Sequence, residues 1–483
     1  MSAPARSLGS AIVVGGGISG LAAAWELTGG ATPDAAAPRV CVLEASPTLG
    51  GPIKTTPIAG RPVDVGPDCF VGRVPDAYGL CSELGLTDAL TPVGTSGASL
   101  YARGRLRPLP PGLVSGVPTR WLPVARSGLL GPAGSLRLLR DPVLSRPDRR
   151  GPLGDRALGP LVSRRLGAAV VTALVDPLMG GIHAGSVADM STAAVAPLLL
   201  AQPRRGSLMR SLAKAERLAA QAREDRGAGP RFWALAGGMG TLIERLSQEL
   251  SARGVQIVTG AKVEGLRREN PGWSVSSTAG ERHAQGVVLA LPASCAADLL
   301  EPHDPNAASL ARSEERSSVA LVTLAYDEPT ELPEGTGFLV PRGATLASIT
   351  EPMLLTACTF LDQKWPHLAV GGQRLLRASV GRSDDTRSEQ LSDADLTRRV
   401  AGELGEILQI GSQPCVAAVT RWPEAFPQYK VGHLLRVNGI EAATGRLGGL
   451  AVAGSSYRGV GIPACIASGR RAARMISEAP PDA

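Results

Sequence analysis

At 483 residues the chain exceeds what one hydrophobic core supports, so two or three domains are expected. Apolar residues make up 44% and charged residues 19%, a globular composition, while 59 Gly and 39 Pro point to many turns rather than a helical bundle. Aromatics at 3% argue against a stacking surface for single-stranded nucleic acid, and a formal charge of +7 is modest over this length.

The seven cysteines (41, 69, 81, 295, 358, 415 and 465) are scattered, odd in number and without a CxxC pair, which suggests neither a disulfide framework nor structural zinc. The five histidines have no metal-ligand spacing, so no metal is expected. A reducing cytosol fits this usage. The opening residues lead straight into a strand without the apolar core and cleavage site of a secretory signal, so export is not indicated. The uncharged run Ser7 to Trp25 is broken by Gly15, Gly16, Gly17 and Gly20 and is not read as a transmembrane helix.

In chain order, Ala11 to Val14 reads as a strand, Gly15 to Gly20 as a tight turn, and Leu21 to Leu27 as a helix. A Pro- and Ala-rich insert precedes a second strand, Val40 to Leu43, which ends at Glu44 and completes a βαβ unit. Residues 101–210 are rich in Leu, Arg, Pro and Gly, with helical stretches such as Leu161 to Val175 and no clear strand alternation; they read as a separate helical insertion. Ten Arg and three Asp lie between Arg120 and Arg165, the most basic stretch of the chain, suited to an anionic lipid surface or simply to solvent. A helix is expected from Thr241, with Thr241 and Glu244 forming a capping box and an exit at Gly254. Strands at Val255 to Val258, Trp273 to Ser276 and Val287 to Leu291 make a second α/β portion, so the nucleotide domain is discontinuous. Residues 319–326, 337–340 and 374–380 suggest an antiparallel sheet in another lobe. Leu450 to Ala453 is a strand, Gly454 to Gly461 a loop, and Pro463 a first-turn proline of a helix ending near Ile476.

The spacing of Gly15, Gly17 and Gly20 permits a tight turn, brings backbone amides beside a pyrophosphate, and lets helix pack on strand. Glu44, 29 positions after Gly15, is placed to accept from a ribose hydroxyl pair. NAD and FAD share this fingerprint. Gly50-Gly51 and the glycine-containing segment at 450–476 suit the longer cofactor, so FAD is expected.

Gly15 to Gly20, Leu43-Glu44-Ala45-Ser46, Leu49-Gly50-Gly51 and Val65-Gly66-Pro67 resemble the FAD-binding head of the amine oxidase and protoporphyrinogen oxidase superfamily. Asp176-Pro177-Leu178 through Gly181-Ile182-His183-Ala184-Gly185, Pro427-Gln428-Tyr429 with Gly432-His433, and Gly454 to Val460 are similar to the oxygen-dependent protoporphyrinogen oxidases in particular. The resemblance implies an α/β fold: a discontinuous Rossmann-like FAD-binding domain (1–100, 231–300, 415–483), an α+β substrate lobe (301–414) and a helical membrane-binding lobe (101–210). It implies three two-electron oxidations of protoporphyrinogen IX, with O2 as acceptor and H2O2 released, by a homodimer attached to the inner face of the cell membrane. It places Gly15, Gly16, Gly17, Ile18, Ser19, Gly20, Glu44, Gly51, Pro52, Gly66, Pro67, Asp68, Cys69, Val263, Trp422, Val460, Gly461 and Ile462 at FAD. Gly181 matches a glycine near the reactive flavin edge, and Leu339 an apolar residue against the substrate. Where relatives carry an arginine for a substrate propionate this chain has Ala98; Arg103, Arg105 or Arg107 are alternatives, although surface exposure is the commoner fate of arginine. Coproporphyrinogen III oxidation and amine oxidation on the same scaffold are the competing readings, together with a non-catalytic FAD-binding protein.

Overall fold

The computed structural model describes residues 8–34, 37–141, 154–200, 206–224, 229–327, 331–348 and 350–478. Its frame is a five-stranded parallel sheet in the order Gln256–Val258, Arg39–Leu43, Ser10–Val14, Gly286–Leu289, Leu450–Val452. Both faces are covered, which explains why these strands are continuous apolar runs rather than alternating ones. Val13, Val42, Val288 and Ala451 face the helices Ile18–Leu27, Gly240–Ala252 and Ile462–Glu478. Ile12, Val14, Leu43, Val287, Leu289 and Val452 face helices Ala293–Leu300 and His433–Arg446 and the meander that carries Trp273. Strands from the beginning, middle and end of the chain thus share one sheet, as the discontinuous reading expects.

The second sheet has seven strands in the order Val416–Pro427, Arg316–Tyr326, Arg374–Val380, Leu355–Phe360, Gly337–Leu339, Ser99–Ala102, Arg105–Pro108. All its pairings are antiparallel except Gly337–Leu339 with Ser99–Ala102. Its buried face packs on helix Asp393–Leu408 through Val322, Phe338, Cys358 and Ala378.

Three local expectations are corrected. Residues 99–108 and 113–118 form strands, so the helical segment begins at Trp121 rather than at 101. Ser99–Ala102 pairs with the distant Gly337–Leu339, whereas Arg105–Pro108 and the separate ribbon of Leu113–Val114 with Val117–Pro118 are local hairpins; a short Leu- and Arg-rich run shows neither. The helix expected over Leu161 to Val175 is split: helix Leu158–Leu166 stops at Gly167, whose φ is +98°, and Val171–Gly180 is a π-helix. Pro177 inside it has no N–H to donate to the i−4 carbonyl, which removes one bond of an α-helical ladder. Finally, Thr241 caps nothing. The helix runs from Gly240, the Met239 amide donates to Asp64 Oδ1 (2.8 Å) and the Gly240 amide to Thr55 Oγ1 (2.9 Å), so a distant strand pair supplies the cap. In the basic stretch, Arg146, Arg149 and Arg150 lie outside the described residues. No helix among the described residues is long and apolar enough to cross a membrane.

Candidate functional site

The first strand of the parallel sheet ends in Gly15, with φ +107° and its amide on Leu43 O (2.8 Å). A Cβ at Gly15 would lie 2.4 Å from Ala290 O, and one at Gly20 would lie 1.9 Å from Gly15 O. Both glycines are therefore required by packing alone. Gly17 differs: its backbone is extended, and a Cβ there would meet no atom within 4 Å. It is the N-cap of helix Ile18–Leu27 and brings no capping side chain, so first-turn amides face outward without intrahelical acceptors. Open space, bare amides and the positive end of a helix dipole make a cradle suited to a diphosphate. This is the fit that a dinucleotide requires.

Glu44 ends the neighbouring strand, as expected. Its carboxylate accepts from the Gly16 amide (2.6 Å, Oε2) and the Ser46 amide (2.7 Å, Oε1), which orients it while leaving lone pairs for a ribose. Its own carbonyl accepts from Ala261 (2.8 Å), two residues before Val263. The Gly50 amide donates to Gly16 O (2.9 Å), and Gly51 lies against Gly17. Gly66 packs so closely on Pro52 that a Cβ would lie 1.8 Å from Pro52 O. Trp422 Nε1 donates to Val65 O (2.6 Å). At the other end of the chain helix Ile462–Glu478 packs on Ser19 so closely that a Cβ at Gly469 would lie 2.0 Å from Ser19 O, and the Gly459 amide donates to the Tyr429 hydroxyl (2.9 Å), setting the approach to Val460, Gly461 and Ile462. Tyr429 is stacked on His433 with ring centroids 3.8 Å apart. Direct contacts thus connect residues from five separate stretches of sequence.

The loop Gly66–Cys69 is anchored by charges that sequence reasoning missed. Asp68 accepts from Lys364 Nζ (2.8 Å) and Trp365 Nε1 (3.0 Å), and Arg377 lies 3.1 Å away. Burial alone would push its carboxyl up, but Arg377 and Lys364 outweigh it and hold the group well below the usual carboxylate range. The Asp68 side chain is committed to the protein, so what it can present to a ligand is backbone. Burial, reinforced by Asp68, pushes the Cys69 thiol up to about 12, so it stays protonated and is no nucleophile. Arg377 also donates to Asp64 O (2.6 Å) and Gly66 O (3.2 Å). The only sequence signal for it was a cation in the middle of a mostly apolar strand, Arg374–Val380.

Asp64 behaves oppositely. Burial pushes its carboxyl up to about 6, opposed by Thr55 and Met239 and reinforced by Asp68. Between about pH 4 and 6 the folded chain therefore binds more protons than the unfolded one, and stability falls as pH rises through that window. Asp64→Asn keeps an oxygen for Thr55 and Met239. We expect it to abolish this pH dependence and to be more stable at pH 7 by about 2 to 3 kcal/mol, at roughly 1.36 kcal/mol per pH unit, as read by urea melts across pH 4 to 7.

Leu339, Ala357, Ser379, Leu321 and Thr420 are successive partners across the second sheet and so share one face. Each is only half-buried, whereas Phe338, Cys358, Ala378 and Val322 on the opposite face are buried. The row spans roughly 19 Å at about 4.8 Å per strand, and Trp422, paired with Val319, continues the same face beside the Gly66 loop. Gly181 stands at its other end, where a Cβ would contact Leu339 Cδ2 at 3.7 Å. The two substrate-side expectations, Gly181 and Leu339, are thus brought together. The arginines are not: Leu100, fully buried, separates Leu339 from Arg107, which lines a cavity of about 510 Å³ with Arg105 and Arg126 and donates to Ser127 O (3.3 Å). Among the described residues no group of His, Cys, Asp or Glu is placed to hold a metal.

A doubly covered parallel sheet with this cradle, joined to a second sheet with an open face, has the form of a dinucleotide-dependent oxidoreductase. Residues 18–477 match the flavin-containing amine oxidoreductases, and the chain belongs to that family; its cofactor is FAD. Its relatives include a coproporphyrinogen III oxidase of Mycobacterium bovis, 36% identical over 97% of each chain, and a protoporphyrinogen oxidase of Bos taurus, 30% identical over 96% of this chain and 98% of that one. A solved structure from Exiguobacterium sp. 255-15 superposes with a TM-score of 0.83 at 31% identity, covering 97% of this chain and 98% of the other.

Proposed function

We propose that this enzyme oxidises a porphyrinogen to the porphyrin, with coproporphyrinogen III as its principal substrate and coproporphyrin III as product. The observation that carries the reading is the half-buried sheet face from Leu339 to Thr420, a broad, mostly apolar floor running toward Trp422 and the Gly66 loop. Large ligand sites are mostly apolar with a few polar groups, and here Ser379 and Thr420 are the polar ones. When bound, FAD would supply the redox chemistry, three oxidations of the macrocycle that each remove two electrons and two protons and reduce one O2 to H2O2. The protein's part is to orient and enclose. The sheet would present a floor to one face of the macrocycle, Gly181 keeps the space above Leu339 free of a side chain, and Arg377 with Trp422 holds the Gly66 loop against the floor. Sites for FAD are the crevice residues Gly15 to Gly20, Glu44, Gly51, Pro52, Gly66 to Cys69, Val263, Trp422 and Val460 to Ile462.

Coproporphyrinogen is placed first because the bacterial relative at 36% identity is named for it, whereas the matches named for protoporphyrinogen, the bovine enzyme and the Exiguobacterium structure, stand at 30% and 31%. The flavin-loaded protein, given each substrate in air, should raise porphyrin fluorescence and release peroxide at least about tenfold faster with coproporphyrinogen III, a difference of about 1.4 kcal/mol in transition-state binding. The opposite preference would restore protoporphyrinogen IX as substrate, and no turnover with either would end the porphyrinogen reading.

We further propose peripheral contact with anionic lipid through the helices Trp121–Ser127 and Gly131–Leu138 and the residues just after them. There Leu122, Leu136 and Leu139 are exposed beside Arg126, Arg137 and Arg140. Arg126→Gln with Arg137→Gln and Arg140→Gln should weaken binding to anionic liposomes, at roughly 1 kcal/mol per arginine; equal co-sedimentation with the parent protein would dismiss this surface.

A further inference from the structure

The turn that carries Gly181 is tied to the second sheet at four points. Asp176, inside the π-helix and nearly buried, accepts from the Val187 amide (3.4 Å) and from Arg342 Nε (3.3 Å), and Arg382 Nη1 lies 3.7 Å from the same carboxylate oxygen as Arg342. Arg342 Nη2 donates to Gly185 O (3.1 Å), the Ser383 amide to Ala184 O (2.9 Å), and Gln428 Nε2 to His183 O (3.0 Å). Arg342 follows the strand that ends in Leu339, and Arg382 and Ser383 follow the strand that contains Ser379. Arg382 is itself anchored on Val340 O (2.7 Å) and is 6% exposed. The groups that hold the turn therefore leave from the same strands that form the floor.

Within the turn there is no slack. A Cβ at Gly180 would lie 2.8 Å from Gly185 O, and the Gly185 amide closes on Gly180 O (3.1 Å). Any movement of Asp176 is consequently carried through to Gly181. We propose that Asp176, Arg342 and Arg382 are positioning residues that set the height of Gly181 against Leu339, and through it which pattern of ring substituents the site accepts. The inference rests on the porphyrinogen reading above. It assigns a selectivity role to ion pairs whose partners are the Gly181 turn and the ends of the floor strands, where an ordinary ion pair between lobes would only add stability.

The test uses the full flavin-loaded protein and three variants. Asp176→Asn preserves shape and an acceptor for Val187 but removes the charge; Arg342→Lys, at a side chain 32% exposed, keeps a cation; Gly181→Ala adds only an ordinary contact to Leu339. For each, flavin content, melting temperature, kcat and KM are measured with coproporphyrinogen III and with protoporphyrinogen IX. At unchanged flavin content, Asp176→Asn should lower kcat roughly tenfold or more, as a misplacement of about an ångström does, and should change the ratio of kcat/KM between the two substrates. Gly181→Ala should shift that ratio as well, and Arg342→Lys should keep most of the parent selectivity. A parent-like ratio in Asp176→Asn, whether its stability is intact or reduced, would reduce the ion pairs to a structural contact and overturn the proposal. Absence of turnover by the parent protein with both substrates would instead overturn the reading on which it rests.

Discussion

Gly17→Ala is expected to empty the protein of FAD while leaving the apoprotein as stable as its parent. The position is extended rather than left-handed, and the added methyl group meets no protein atom within 4 Å, so nothing in the chain resists it. The space it enters is the one in front of the first-turn amides of helix Ile18–Leu27, where the diphosphate is proposed to lie. Displacing one or two charge-assisted hydrogen bonds, at about 1.5 to 3 kcal/mol each, weakens binding about 10- to 10⁴-fold. Flavin absorbance of the purified variant, titration of the apoprotein with FAD, and urea melts without FAD together decide the matter. Gly15→Ala and Gly20→Ala are useful contrasts, because both collide with backbone and should lower the stability of the apoprotein as well. If Gly17→Ala retained FAD as the parent does, the cradle would have to be placed elsewhere.

The second large effect is expected at Arg377. Its guanidinium, nearly buried, joins Asp68 and the carbonyls of Asp64 and Gly66 to the sheet floor. Arg377→Met fills similar volume but leaves Asp68 short of a cation and two carbonyls short of a donor. Removing one partner of a buried ionic set costs on the order of 3 kcal/mol. The loss should appear in urea melts at pH 7, with weakened flavin retention, because the Gly66 loop also loses its tie to the strand of Ser379. The pH dependence has a definite sign. The folded Asp68 carboxyl lies below its unfolded value, so its contribution is complete above the ordinary carboxylate range and fades as pH falls beneath it. The gap between parent and variant should accordingly be full at neutral pH and shrink below about pH 4. A variant as stable as the parent at pH 7 would mean that Lys364 and Trp365 alone suffice for Asp68.

The two positions show why some of the site was readable and some was not. Gly17 stands in a local motif: the strand before it, the helix after it and the acidic residue ending the next strand all lie within 35 residues, and each obeys backbone rules that act along the chain. Arg377 belongs to no motif. It matters because two segments more than 300 positions apart come together, and nothing in Arg374–Val380 announces Asp68 as its partner.

The same division runs through the fold. Sequence by itself determined the dinucleotide turn, the role open to Glu44 and the return of the chain to the parallel sheet at Leu450, because glycine spacing and apolar runs are local consequences of sterics and burial. Only the tertiary structure decided the rest. The Gly240 helix is capped by Asp64 and Thr55 rather than by Thr241, the start of the 101–210 stretch carries short strands instead of helix, and Leu339 lies on an open face shared with Ala357, Ser379, Leu321 and Thr420. For the cap and for the open face the deciding force is a hydrogen bond or a strand pairing between residues far apart in the chain, whose partner no local pattern identifies.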